Sequence, residues 1–120
     1  MTANEAYKLL QNMIEIPSLS REETAVADFL QNYLENLGLE ISRVGNNLFS
    51  ISKDYSESKP TILLNSHIDT VKPSALWTKD PFKATEEDGK LYGLGSNDAG
   101  ASVVSLIATF VSLTAKTQPY

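Results

Sequence analysis

The chain carries one histidine, His67, with Asp69 two positions later and Asp98 at the end of a glycine-punctuated run, Gly93-Leu94-Gly95-Ser96-Asn97. On an extended backbone, residues i and i+2 project to the same side, so the His67 and Asp69 side chains share a face. A carboxylate so placed accepts the imidazole N–H that a metal does not use, which sets the tautomer and strengthens the ring as a ligand. Asp69 therefore reads as the acid that orients His67, not as a ligand itself. Asp98 can reach the same space, and a carboxylate there can bridge two metal ions roughly 3.5–4 Å apart. Each feature also has a structural reading. An H-x-D at a strand end forms a hydrogen-bonded pair, and an Asp at a helix start serves as a cap.

These residues need an element that ends at His67 and one that begins near Asp98. Thr61-Ile62-Leu63-Leu64 is nearly uninterrupted in apolarity, as in a strand covered on both faces, and predicts a central parallel strand delivering His67. Val103, Leu106, Ile107, Phe110 and Leu113 recur at helical spacing and predict a helix from Asp98 to about Ala115. A strand end facing a helix start is where ligands gather in an open α/β sheet.

Upstream, Thr2-x-x-Glu5 fits a capping box and opens an amphipathic helix bearing Ala6, Leu9, Leu10 and Met13, closed before Pro17. Ser20-Arg21-Glu22-Glu23 fits a second box, followed by Val26, Phe29, Leu30, Tyr33, Leu34 and Leu37 on one face, with Gly38 as the C-terminal stop. Leu39 to Val44 and Leu48 to Ser52 flank Gly45-Asn46-Asn47 and predict a β-hairpin. From Thr70 to Lys90 the pattern is aperiodic and reads as a long loop, in which Trp77 and Phe82 more often pin the loop to the core than shape a substrate cleft. Leu91 and Tyr92 form a very short strand beside the Thr61–Leu64 run. Gly93 and Gly95 serve either close backbone approach or positive φ, and residues 116–120 form a polar tail.

Composition narrows the function classes. With 15 acidic against 10 basic residues and no basic cluster, nucleic acid is not an expected partner. Cysteine is absent, so any metal must sit on nitrogen and oxygen ligands. The N-terminus lacks a basic and apolar leader, and no apolar stretch approaches the ~20 residues of a membrane span, so the expectation is a cytoplasmic protein with no membrane partner.

The ordered set Ser66-His67-Ile68-Asp69-Thr70-Val71, Trp77, Asp80-Pro81-Phe82 and Asp88-Gly89-Lys90-Leu91-Tyr92-Gly93-Leu94-Gly95-Ser96-Asn97-Asp98 resembles the signature of the zinc aminoacylase and deacetylase family of metallopeptidases. That family includes acetylornithine deacetylase, succinyl-diaminopimelate desuccinylase, carboxypeptidases and dipeptidases. The Gly-Leu-Gly-Ser-Asn-Asp-Ala-Gly form resembles the acetylornithine deacetylase branch, which points to amino-acid biosynthesis. The resemblance implies an α/β fold, the incomplete N-terminal portion of a three-layer sandwich with a mixed sheet. Residues 1–120 would be the N-terminal part of the catalytic domain, without a lid or dimerisation domain. It further implies two zinc ions in the full-length protein, with cobalt or manganese as substitutes, and does not require that this stretch alone retains them. His67 would be a zinc ligand, Asp98 the bridging carboxylate and Asp69 the catalytic acid behind His67. The substrate would be a small N-acyl amino acid, or a dipeptide if the chain belongs to the peptidase branches.

The chain departs from the family's pattern at Leu94, where an Arg is frequent, and at Gly100, where a Lys is frequent. Family members are also roughly three times as long and carry a Glu-Glu pair, a further acidic ligand and a late histidine. No acidic residue follows Asp98, and the pairs Glu22-Glu23 and Glu86-Glu87 read as a helix first turn and a solvated loop. The expectation is therefore an amidohydrolase half-site, inactive by itself. The competing expectation is a non-catalytic folding or association unit that homodimerises through an exposed sheet edge.

Overall fold

The computed structural model describes residues 1–118. Helix α1 (Ala3–Ile14) begins with the expected box: the Glu5 N–H donates to Thr2 Oγ1 at 3.2 Å, and the Thr2 N–H donates back to the Glu5 carboxylate at 2.6 Å. Its inner face buries Leu9, Leu10, Met13 and Ile14. Helix α2 (Thr24–Asn36) adds Val26 and Leu30, and helix α3 (Ala101–Thr114) adds Val103 and Val104, so three helices close one small core. Leu9 and Val26 are its most enclosed large side chains, each 1% exposed.

The second expected capping box does not form. Leu19 to Glu22 make a turn closed by the Glu22 N–H on the Leu19 carbonyl, with Arg21 at φ 77°, and α2 starts only at Thr24 with no side-chain cap. The reason is that the Ser20 hydroxyl is committed to a distant partner, Asp69. Gly38 does occupy the left-handed position after α2, at φ 82°.

The first hairpin is as expected, with β1 (Ser42–Val44) and β2 (Asn47–Phe49) antiparallel across Gly45-Asn46. Arg43 holds it against α2 by donating to Asp28 at 2.5 Å and to the Gly45 carbonyl at 2.7 Å. A second hairpin lies inside the stretch expected to be loop: β3 (Thr85–Glu87) pairs with β4 (Lys90–Tyr92). Its turn is Asp88-Gly89, with φ 50° and 70°, the two positive values that a tight primed turn requires. Glu86 and Glu87 are therefore strand residues, and Tyr92 pairs with Thr85, not with the Thr61–Leu64 run.

The central strand is the main correction. Thr61–Leu64 belongs to no sheet, and Ile62 and Leu63 are 56% and 83% exposed. An apolar run becomes a strand only where a neighbouring strand satisfies its backbone, and neither hairpin reaches it. The pairing falls further along the chain, where Leu19, ahead of α2, forms a parallel bridge with Thr70. Trp77 also departs from expectation. At 39% exposure it lines a shallow cavity with Leu76, Lys79 and Tyr92 and does not enter the core. The fold is thus α/β and matches an incomplete N-terminal portion of a larger domain, its sheet represented by two antiparallel hairpins and one parallel bridge.

One stretch, Ser96–Thr114, has the length and hydropathy of a membrane-crossing helix at 19 residues, contrary to the expectation that no segment approaches that size. It is not one continuous α-helix. The backbone leaves helical geometry at Asp98 (φ −116°, ψ 97°), and the regular part is the 14 residues of α3. At 1.5 Å per residue this rises about 21 Å, short of a roughly 30 Å hydrocarbon layer. Pro119 and Tyr120, the end of the expected tail, lie outside the described residues.

Gly100 marks where α3 docks on α1. A Cβ there would stand 2.6 Å from both the Gly95 carbonyl oxygen and Leu10 Cδ1. Gly100→Ala is expected to destabilise the chain by about 1–3 kcal/mol through overpacking. Leu9→Ala should cost about 2–5 kcal/mol through loss of burial and an unfilled cavity. Urea-unfolding midpoints at unchanged m-value measure both.

Candidate metal centre

The chain from His67 to Thr70 is held from one side by residues 18–20. The Thr70 N–H donates to the Ser18 carbonyl at 2.8 Å and the Ser20 N–H to the Thr70 carbonyl at 3.0 Å. From the other side comes the glycine-rich turn. Gly95, at φ 78°, lies so close to Thr70 that a Cβ would stand 2.8 Å from the Thr70 methyl, so Gly95 provides both positive φ and close approach. A π-type turn, Ser96–Gly100, follows, and the Gly100 N–H closes it on the Gly95 carbonyl at 2.8 Å. Asp98 is extended within this turn, three residues ahead of α3, and makes no helix cap.

The result is that all three residues singled out in the sequence meet. His67 Nδ1 lies 3.1 Å from Asp69 Oδ1 and 3.2 Å from the Asp69 carbonyl oxygen, while Nε2 lies 3.0 Å from Asp98 Oδ1. Ser20 joins them, its hydroxyl donating to Asp69 Oδ2 at 2.5 Å. The His67, Asp69 and Asp98 side chains are 51%, 40% and 87% exposed, so the cluster faces solvent at the rim of the core. Below it, Ile68, Leu10, Ile14 and Leu94 line a crevice of about 20 Å³, room for about one water. Leu94 is itself 9% exposed and packs inward, which explains an apolar residue between the two glycines.

The electrostatics follow from this bracket. Partial burial pushes the His67 imidazole down, but the Asp98 hydrogen bond, the Asp69 carbonyl and the two carboxylate charges together outweigh it, leaving His67 above the usual histidine value. The Ser20 hydroxyl, opposed by partial burial and helped by His67, holds the Asp69 carboxyl below the usual aspartate range.

A neutral imidazole has one N–H. Two acceptors of the Asp69 side lie against Nδ1 and one of Asp98 against Nε2; with the proton on Nδ1, the Nε2 lone pair faces a carboxylate oxygen. Two lone pairs at that separation are held together by a proton or by a cation that both ligate. Imidazole nitrogen with carboxylate oxygen is a donor set that suits zinc, so the residues present fit the ion as two of its ligands. No group of three or more His, Cys, Asp and Glu arranged to hold a metal occurs among the described residues. Neither acidic pair, Glu22-Glu23 nor Glu86-Glu87, joins the cluster: Glu23 accepts from Asn46 and Glu86 from Tyr7.

Residues 63–119 match the model of Peptidase family M20/M25/M40, and relatives align along nearly the whole chain. The chain is similar to this family over residues 63–119. It is 33% identical to an acetylornithine deacetylase of Buchnera aphidicola subsp. Schizaphis graminum over 120 residues, covering 91% of this chain and 32% of the relative. It is 33% identical to a succinyl-diaminopimelate desuccinylase of Novosphingobium aromaticivorans over 124 residues, covering 96% and 33%. A probable succinyl-diaminopimelate desuccinylase of Staphylococcus aureus is 28% identical over 118 residues, covering 95% and 30%. The chain therefore spans about a third of the length of these curated relatives.

Because the His67 value is raised, its ion pairs stabilise the fold fully below the ordinary value of 6.5, and that contribution is lost as pH rises through the folded-state value. In chelator-treated protein, the NMR titration of His67 should have its midpoint above that of an unstructured histidine. Asp98→Asn should move it down. An unchanged midpoint in that variant would show that Asp98 does not face the ring in solution.

Proposed function

We propose that this chain contributes half of a two-metal site in an amidohydrolase that removes the acyl group from a small N-acyl amino acid. The observation that carries the reading is the placement of His67 Nε2 and Asp98 Oδ1 at 3.0 Å with Asp69 behind the ring. Similarity to the family model over residues 63–119 and to relatives named as a deacetylase and desuccinylases supports the reaction class. Zinc, when bound, activates a water and polarises the amide carbonyl. Within this chain, His67 presents Nε2, Asp69 keeps the proton on Nδ1, and the exposed Asp98 carboxylate has its Oδ2 oxygen left to reach a second ion. Cobalt or manganese fits the same donors less selectively. The 120 residues supply two ligands and no general base, so the chemistry requires the remainder of the active site, and these residues alone are inactive. A small-molecule substrate follows from the same reading, and a cytoplasmic setting is proposed beside it.

The test is release of acetate from N-acetylornithine and of succinate from N-succinyl-diaminopimelate by the intact protein, before and after chelation. Hydrolysis should stop on chelation and return with zinc. His67→Ala and Asp98→Ala should each lower kcat/KM by more than the roughly 10–100-fold that loss of an outer-shell partner costs. Chelator-resistant hydrolysis, or either variant with unchanged rates, would reject the metal roles.

A further inference from the structure

Ser20 stands 49 positions before Asp69 and fits only a local capping box in the sequence, yet its hydroxyl makes the shortest contact of the cluster, 2.5 Å to Asp69 Oδ2. That is the length of an O–H bond to an ionised carboxylate. The other oxygen of the same carboxylate meets His67 Nδ1 at 3.1 Å, and Nε2 on the far side of the ring meets Asp98 Oδ1 at 3.0 Å. The four side chains thus form one continuous line. The terminal torsion of an aspartate is broad and roughly two-fold, and Asp69 is 40% exposed. Left to itself, its carboxylate would turn and release the ring. The Ser20 hydroxyl is delivered by a fixed backbone, because the main-chain bonds between Ser18, Ser20 and Thr70 hold residues 18–20 parallel to the His67–Thr70 segment.

We propose that Ser20 is a positioning residue whose hydroxyl pins the Asp69 carboxylate in the orientation that holds the His67 Nδ1 proton and aims Nε2 at Asp98. Its consequence for metal binding rests on the reading above; the positioning itself concerns only the chain's own hydrogen bonds. Ser20→Ala removes the hydroxyl and leaves the main-chain bridge to Thr70 intact, so a purely structural strap would survive it. Ser20→Thr keeps the hydroxyl.

The experiment uses the full chain, in which His67 is the one histidine. Imidazole nitrogen shifts are measured without metal, at a pH where the ring is neutral, in the parent, Ser20→Ala, Ser20→Thr and Asp69→Asn. Ser20→Ala should lose the Nδ1–H tautomer preference and move toward Asp69→Asn, while Ser20→Thr stays with the parent. Zinc titration with a competing chelator should show roughly tenfold weaker binding in Ser20→Ala, the lower end of the range for outer-shell partners. On an Asp69→Asn background the same substitution should add less than about twofold, since its effect runs through Asp69.

Parent-like nitrogen shifts in Ser20→Ala overturn the proposal, as does a zinc penalty of full size on the Asp69→Asn background. If the shifts move but His67→Ala leaves zinc binding unchanged, Ser20 keeps its positioning role and the metal reading falls. Ser20→Cys, close in size and a weak donor, gives the same readout should Ser20→Ala not fold, and its shifts are expected to move in the same direction.

Discussion

A neutral imidazole has one proton to give, and His67 faces a carboxylate on each of its nitrogens. Everything near the site serves to keep that bracket closed. Asp69 is held from behind by Ser20, so its charge is fixed on the Nδ1 side. Asp98 is held from in front by a turn that departs from helical geometry at that residue, so its carboxylate reaches across to Nε2 and is not spent on the helix N-terminus. A proton or a divalent ion between Nε2 and Asp98 resolves the repulsion of the facing lone pairs. The two carboxylates favour the protonated ring and raise the histidine value, and a metal would have to displace that proton, which couples ligand affinity to pH.

The bracket depends in turn on close backbone packing. Gly95 lies against the Thr70 methyl and Gly100 against both the Gly95 carbonyl and Leu10, at separations that leave no room for a Cβ. Three segments far apart in sequence, residues 18–20, 67–70 and 95–100, are therefore in direct contact, with α1 beneath them. Core and site share residues here. Leu10 and Ile14 pack with Val103 in the helical core and also line the crevice under His67. Gly100 in particular is required by this packing.

Helical features were legible because they are local. The Thr2–Glu5 box, the apolar face of α1 and the glycine stop after α2 each involve residues within a few positions of one another, and each forms as the pattern predicts. The first hairpin was legible for the same reason. The second was overlooked although Asp88-Gly89 is a strong hairpin signal, because the flanking residues Thr85-Glu86-Glu87 carry no apolar alternation to mark a strand. The Thr61–Leu64 run shows the opposite failure. Apolarity marked it as a buried strand, but burial and pairing depend on neighbours, and in this fold its flanks carry none.

By itself, the sequence determined the residue types of the cluster and which of them could come together. One histidine, an aspartate two positions on and an aspartate after a glycine-rich turn define a small set of chemistries, since residue type sets protonation and ligand character. Only the tertiary structure decided which nitrogen of His67 faces which carboxylate, that Asp98 is not a helix cap, and that Ser20 belongs to the cluster. Ser20 fitted a local capping box equally well on pattern alone. The choice between capping a helix and holding Asp69 was made by the parallel bridge between Leu19 and Thr70, a contact across about fifty residues that no local periodicity encodes.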